Sequence, residues 1–178
     1  RRCGDKCEDG CGAVFPTAIK KEPTSIAKLA AIWKQRTSDN VEDLVLLWNA
    51  LDVKKIFSRI SDKDLLTMGF DVDYCRPEWL ICSVLPIAPP YVRPSVRAAN
   101  NTRMEDDLTH KYCDIIKTNK TLKLKLSKTN ASEASSKKAI EEWYQLLQYH
   151  VATLINNQLP GIPPAQQRSG RPLKAIYD

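Results

Sequence analysis

At 178 residues, 43% apolar and 27% charged, the chain has room for one domain or two small ones and the balance of an ordinary globular protein. Its net charge of +6 suits an anionic partner, although a solvated basic surface is the commoner explanation of so modest an excess. No apolar run approaches the ~20 residues that cross a bilayer, and no membrane partner is expected.

The first residues, Arg1-Arg2-Cys3-Gly4, carry neither an initiator Met nor the apolar stretch of a signal peptide, and Lys174-Ala175-Ile176-Tyr177-Asp178 closes no element. Both ends read as cut. Of six cysteines, Cys3, Cys7 and Cys11 cluster, while Cys75, Cys82 and Cys113 stand singly. A secreted disulfide framework spreads its cysteines, so a reducing, intracellular setting is expected, with the cluster as a metal candidate and the others as buried thiols.

Residues 1–73 form the first stretch. It opens with a Cys/Gly-rich knuckle, and residues 17–22 and 26–33 read as short strands, the Ala-rich second piece suiting a helix equally well. Polar turn signals at Ser38-Asp39-Asn40 precede an amphipathic helix carrying Ala50, Val53, Ile56, Phe57 and Ile60. Ser61-Asp62 then caps a second short helix over 63–68, closed by Gly69.

In residues 74–104, the run 79–85 reads as a buried strand stopped by Pro86. Pro89, Pro90 and Pro94 predict a stiff, irregular loop, and 98–105 a mobile polar segment. Residues 105–157 predict an antiparallel helical hairpin. Leu108, Tyr112, Ile115, Ile116, Leu122 and Leu126 make one apolar stripe; Ile140, Trp143, Tyr144, Leu147, Val151, Leu154 and Ile155 make the other. Residues 130–136 link them, with Ser135 or Ser136 as the cap. Asp106 and Asp107 sit where the helix dipole favours negative charge. The Pro/Gly-rich remainder, 158–178, is expected to hold no regular structure. The predicted class is α+β.

Three features bear on chemistry. Cys3-x3-Cys7-x3-Cys11, interleaved with glycines, offers thiolates to Zn²⁺, which takes four tetrahedral ligands; three cysteines leave the site one short, and surplus loop cysteines are the alternative. Arg168, Arg171 and Lys174 flank Ser169-Gly170, where guanidinium groups can pair with phosphate and Gly170 lets the backbone approach; a solvated basic turn is the alternative. Arg93 and Arg103 border the proline loop, which is either a wedge or a plain connector. For catalysis there is no tight group of three aspartates to hold two Mg²⁺ ions, and a His110 dyad with Asp106 or Asp107 competes with ordinary surface contacts.

Two stretches carry a resemblance. Arg76-Pro77-Glu78-Trp79, Val84-Leu85-Pro86, Pro89-Pro90 and Val92-Arg93-Pro94-Ser95-Val96 resemble the approach to the lid in the largest subunit of multisubunit RNA polymerases. Asp106-Asp107-Leu108-Thr109-His110-Lys111 and Asp114-Ile115-Ile116-Lys117 resemble the start of that subunit's clamp coiled coil. Residues 147–153 are similar to its returning helix, and Gln167-Arg168-Ser169-Gly170-Arg171-Pro172-Leu173-Lys174 to its rudder. Cys11-Gly12-Ala13-Val14-Phe15-Pro16 is similar to the close of its zinc site, with Phe15 in place of Gln. Phe15, Cys75, Pro164 and the Lys/Ser-rich segment 119–137 depart from the family pattern and suggest a diverged lineage, such as a large DNA virus of eukaryotes.

The resemblance implies a clamp fragment: a head with a partial zinc knuckle (1–73), a core strand and lid (74–104), a helical hairpin (105–157) and a rudder (158–178). It implies zinc on Cys7 and Cys11, with Cys3 as the alternative, and Mg²⁺ held by aspartates outside the chain. The implied partners are the DNA template and DNA–RNA hybrid at Arg93, Arg103, Arg168, Arg171 and Lys174, other subunits including the second-largest, and initiation and elongation factors on the hairpin. The implied location is the nucleus, or a virion or cytoplasmic virus factory. A stand-alone zinc-containing module presenting a basic hairpin is the competing reading; an independent hydrolase lacks a nucleophile–base pair.

Overall fold

The computed structural model describes residues 2–3, 12–22, 26, 28–36, 41–128 and 134–178. The chain divides into two units, Arg1–Glu22 with Ala27–Val84, and Pro23–Ile26 with Leu85–Asp178.

In the first unit, β1 (Ala18–Lys21), β2 (Leu29–Arg36) and β3 (Val41–Trp48) form an antiparallel sheet in that order. Ala31 pairs with Ile19 on one side and Leu46 on the other, and is fully buried. The Ala-rich segment is therefore a strand. Its helix propensity amounts to a few tenths of a kcal/mol per residue, and flanking partners on both edges outweigh it. Sequence reasoning missed β3, because Leu44 to Trp48 is continuously apolar and lacks strand alternation; Leu44, Val45, Leu46 and Leu47 are all about half exposed. Trp33 and Trp48 meet edge-on at 6.1 Å, and the Trp33 indole N–H donates to the Val14 carbonyl.

Helix α1 (Ala50–Phe57) starts where the Asn49 N–H donates to the Asp52 carboxylate, and buries none of its residues. Helix α2 (Asp62–Thr67) follows the expected code closely. Ser61 Oγ accepts from the Asp64 N–H, and Gly69, at φ +85°, lets Phe70 N–H reach the Leu65 carbonyl and Gly69 N–H the Leu66 carbonyl. That is a Schellman ending anchored on the fully buried Leu65.

The expected strand at 79–85 is absent. Pro77–Leu80 is a short 3₁₀ turn, and Trp79, Leu80 and Val84 are 56%, 70% and 81% exposed. Pro77 presets a helical φ at the turn's first position, and Arg76 bonds both Glu78 and Asp62 around it, so no extended strand forms. Cys75, Cys82 and Cys113 are exposed rather than buried; residue-type tendencies did not outweigh local geometry there.

In the second unit, the prolines hold a loop of consecutive turns, with Val92 N–H on the Pro89 carbonyl and Arg93 N–H on the Pro90 carbonyl. The stretch 98–105 was expected to be mobile. Instead β4 (Val96–Arg97) and β5 (Arg103–Met104) pair, and Asn101, at φ 63°, turns the chain between them. Asn tolerates that left-handed conformation better than most residues.

Helices α3 (Asp107–Lys128) and α4 (Ala134–Ile155) form the expected hairpin. Because α4 begins at Ala134, Ser135 and Ser136 fall inside its first turn rather than before it. The core is Tyr112, Ile115 and Leu154, with Leu85, Ala88, Leu108, Leu147 and Val151 packed around it. The buried face of α3 runs through Lys111, Tyr112, Ile115, Thr118 and Leu122. Ile116 and Leu126, assigned to it from apolarity, are half exposed, because helical spacing places Lys111 and Thr118 inward.

The tail folds back on the hairpin through a buried amide. Asn157 Nδ2 donates to the Ala165 and Leu173 carbonyls at 3.0 and 2.8 Å, and its Oδ1 accepts from Ala165 N–H at 2.7 Å. Ala165, Leu173 and Ala175 are buried beside it, and Gln166 bridges Pro172, so the tail expected to be irregular contains one ordered bridge. The class is α+β, as expected. Among the described residues no helix is long and apolar enough to cross a membrane.

Candidate functional site

The first turn of α3 anchors both arginine-bearing loops. Asp107, 6% exposed, accepts hydrogen bonds from Gln167 Nε2 (2.6 Å), Arg171 Nη2 (3.0 and 2.7 Å) and the backbone N–H of Lys174 (3.1 Å). Burial pushes this carboxyl upward. The Lys174 N–H, the Gln167 amide and the Arg171 guanidinium together outweigh that and hold it below the ordinary carboxylate value. Two residues on, Thr109 Oγ1 accepts from Arg93 Nη1, while Arg93 Nε donates to the Ala88 carbonyl and its guanidinium lies 5.6 Å from the Tyr112 ring centroid. The Tyr112 hydroxyl accepts from Ala88 N–H, fastening the same loop again.

Between the arms held by Asp107 runs a tight turn. Gly170 N–H reaches the Gln167 carbonyl at 2.9 Å, and Gln167 N–H reaches the Arg171 carbonyl at 2.8 Å. Gly170 sits at φ +83°, the left-handed position that follows such a turn in a three-residue hairpin loop. Arg168 and Ser169 occupy the exposed tip. Among the described residues Arg168 has no hydrogen bond or ion pair, leaving its planar donor fork free for an anion.

The basic residues expected to share one role therefore divide. Arg171 is half exposed but bonded to Asp107, and Lys174 contributes its backbone to the same carboxylate while its side chain is exposed. Arg93 is a strap from loop to helix, not a free cation. Arg103 is 73% exposed, donates to Ser95 Oγ and lies 3.7 Å from Glu105, which neutralises part of its charge. Among the described residues Arg168 and the Lys174 ammonium are both exposed and free of a side-chain partner, and of the two only Arg168 stands at the tip of the turn.

Asp107, Gln167 and Asn157 were not anticipated as organisers. Asp107 was read as a dipole partner, and Asp106 fills that place by accepting from Leu108 N–H. Its actual partners lie 60 to 67 residues away. Sequence offered only the coincidence of a doubled Asp with a Gln/Arg-bearing turn.

A second cluster lies between the helices. Lys111 is 1% exposed, with Nζ 5.3 Å from the Tyr149 ring centroid. Burial pushes its pKa down, against the pull of Asp114. His150 is pushed down by burial and then by Lys111, again opposed by Asp114, and its buried Nδ1 has no hydrogen bond among the described residues.

For zinc, Cys7 and Cys11 lie outside the described residues. Among the described residues Cys3 is a free thiol; its N–H bonds the Ala13 carbonyl and its carbonyl accepts from Gly12 N–H. Among the described residues no group of three His, Cys, Asp or Glu is arranged to hold a metal.

Residues 2–178 match the family model described as RNA polymerase Rpb1, domain 1. The chain is similar to the DNA-directed RNA polymerase subunit Rpo1N of Thermococcus celer, 38% identical over 154 residues, covering 86% of this chain and 16% of that protein. It is also similar to the subunit of that name from Methanocaldococcus jannaschii, 45% identical over 125 residues, covering 70% of this chain and 9% of that protein. The chain thus spans less than a fifth of the length of either relative. Neither relative supports the viral lineage expected from the departures in sequence. With the match running from residue 2 to residue 178, the chain belongs to the RNA polymerase Rpb1 domain 1 family.

Proposed function

We propose that this chain is the clamp portion of the largest subunit of a DNA-directed RNA polymerase, and that its Arg168 turn grips the phosphate backbone of the template strand or DNA–RNA hybrid. The observation that carries the reading is a free guanidinium at the tip of a turn whose two arms are fastened to one buried carboxylate. A cation held on a rigid mount contacts phosphate without reading bases. The proline loop over 86–104, strapped to α3 through Arg93, is stiff enough to act as the lid that parts RNA from template. The exposed Lys117, Lys120 and Lys123 on α3 suit docking of initiation and elongation factors. Other subunits, the second-largest among them, complete the assembly, and Mg²⁺ for nucleotidyl transfer is held by aspartates elsewhere in the subunit. Zinc on Cys7 and Cys11, with Cys3 as the alternative to Cys7, is part of the same reading, and metal analysis of the full-length subunit before and after Cys7→Ser and Cys11→Ser tests it.

The interface is tested in the assembled polymerase with Arg168→Ala. Elongation-complex lifetime is expected to fall, and the slope of log stability against log salt to shrink by about 1, as for loss of one phosphate contact. A lifetime and slope equal to wild type would overturn the reading.

A further inference from the structure

Asp107 opens α3, yet its carboxylate faces the tail rather than its own helix. It accepts four hydrogen bonds from three tail residues, Gln167, Arg171 and Lys174. Those donors bracket the turn: Gln167 precedes the tip, Arg171 follows it, and Lys174 lies between the buried Leu173, whose carbonyl Asn157 holds, and the buried Ala175. Inside the bracket, Gln167 and Arg171 also pair through their backbones. Among the described residues, the hydrogen bonds from the 166–172 turn to the hairpin all end on this one buried carboxylate. Arg171 is spent on that acceptor, and a phosphate would reach its guanidinium only in competition with a carboxylate already in place at 2.7 Å.

We propose that Asp107 is the positioning residue for Arg168. By clasping both arms of the 166–172 turn it fixes the direction in which the Arg168 guanidinium projects from α3, and Arg171 serves the clasp rather than the nucleic acid. This rests on the reading that Arg168 meets phosphate. A clasp of this kind makes the grip at Arg168 depend on a residue that never touches the polyanion. Loss of the carboxylate frees the turn to swing and disperses the contact, although every cation is still present.

The test uses the assembled polymerase carrying Asp107→Ala, Arg171→Lys, Arg168→Ala and the double variant Asp107→Ala/Arg168→Ala. Hydrogen exchange over 166–174 and elongation-complex lifetime across a salt series are both read. Asp107→Ala is expected to speed exchange across the turn, while Arg168→Ala leaves exchange as in wild type. Asp107→Ala is also expected to shorten lifetime several-fold and reduce the salt slope by about 1, as Arg168→Ala does, with the double variant no worse than either single. Arg171→Lys keeps the charge but weakens the fork, so it is expected to behave as a milder Asp107→Ala; being half exposed, it also serves if Asp107→Ala fails to assemble. Unchanged exchange in the clasp variants overturns the inference, as do losses that multiply in the double variant. If Arg168→Ala leaves lifetime unchanged while the clasp variants still loosen the turn, the phosphate reading is what fails, and the positioning role falls with it.

Discussion

Arg171 Nη2 lies 2.7 Å from one carboxylate oxygen of Asp107 and 3.0 Å from the other, joining positions 64 residues apart in sequence. This contact separates two roles that composition had merged. A basic tail next to a turn looks like a set of equivalent phosphate ligands. Arg171 instead belongs to the support and Arg168 to the exposed tip. The same division holds at the proline loop, where Arg93 closes the loop onto Thr109 and Tyr112.

The Asp107 clasp carries a pH dependence whose sign follows from its lowered pKa. A carboxyl depressed in the folded state contributes stability that is fully present above its unfolded value and is lost as pH falls through the folded value. Exchange protection at the Lys174 amide is therefore expected to be complete above the ordinary carboxylate range and to decline as pH falls through that range toward the lower folded value. Asp107→Asn should lower protection at neutral pH, by about 2 kcal/mol given the half-exposed Arg171, and remove the acid transition. Protection that stays flat as pH falls through and below the carboxylate range would contradict the shift.

Arg93→Ala is expected to loosen the loop over 86–95 by about 1–2 kcal/mol, through loss of the bonds to Ala88 and Thr109 and the stacking on Tyr112. Arg93→Lys should recover little, because a point charge cannot span two acceptors and a ring. Hydrogen exchange of that loop in the assembled polymerase checks this. The salt slope of complex lifetime should be untouched, since Arg93 is an internal strap.

Lys111 and His150 are both held below their ordinary values by burial between α3 and α4, with Asp114 opposing each shift and the Tyr149 ring beside Lys111. A histidine with a lowered folded pKa favours folding fully above its unfolded value, and that stability is lost as pH falls from there toward the folded value. Exchange protection of the hairpin base is thus expected to decline on acidification through the imidazole range. His150→Phe should flatten the decline. Lys111→Met should shrink the decline and end it at higher pH, because removing that charge raises the folded value of His150 toward its unfolded one. An acid response unchanged in both variants would rule out this cluster as its source.

Asn157→Ala removes a buried amide that satisfies three backbone groups, and is expected to cost about 2–3 kcal/mol in the 157–175 region. Limited proteolysis within 158–165 should accelerate. Asn157→Asp, which cannot donate, should be nearly as damaging, and a neutral Asn157→Asp would show that the two donated bonds do not matter.

The hairpin and α2 were legible because their signals are local. Leu108, Tyr112 and Ile115 repeat at helical spacing, and Ser61 and Gly69 bracket α2 with the chemistry its ends require. β3 was not legible, because Leu44 to Trp48 has no alternation and its partner strand is an Ala-rich segment with helical leanings. The supposed strand at 79–85 failed for a related reason: apolar content sets burial only when a partner is there to cover it, and Trp79, Leu80 and Val84 stay mostly exposed. At the site, Arg168 and the Gly170 turn were readable from seven consecutive residues. Asp107 was not, because a doubled acid at a helix start has a sufficient local explanation, and the tail that claims it arrives 60 residues later.

The central claim, that the tip of the 166–172 turn faces nucleic acid, is tested most directly by placing a photoreactive side chain at Ser169 of the full-length subunit and irradiating an assembled elongation complex with labelled DNA and RNA. A crosslink from position 169 to template DNA or hybrid RNA, absent when the same group replaces the exposed Tyr74, is the expected result. Efficient assembly with no nucleic-acid crosslink from position 169 would contradict it.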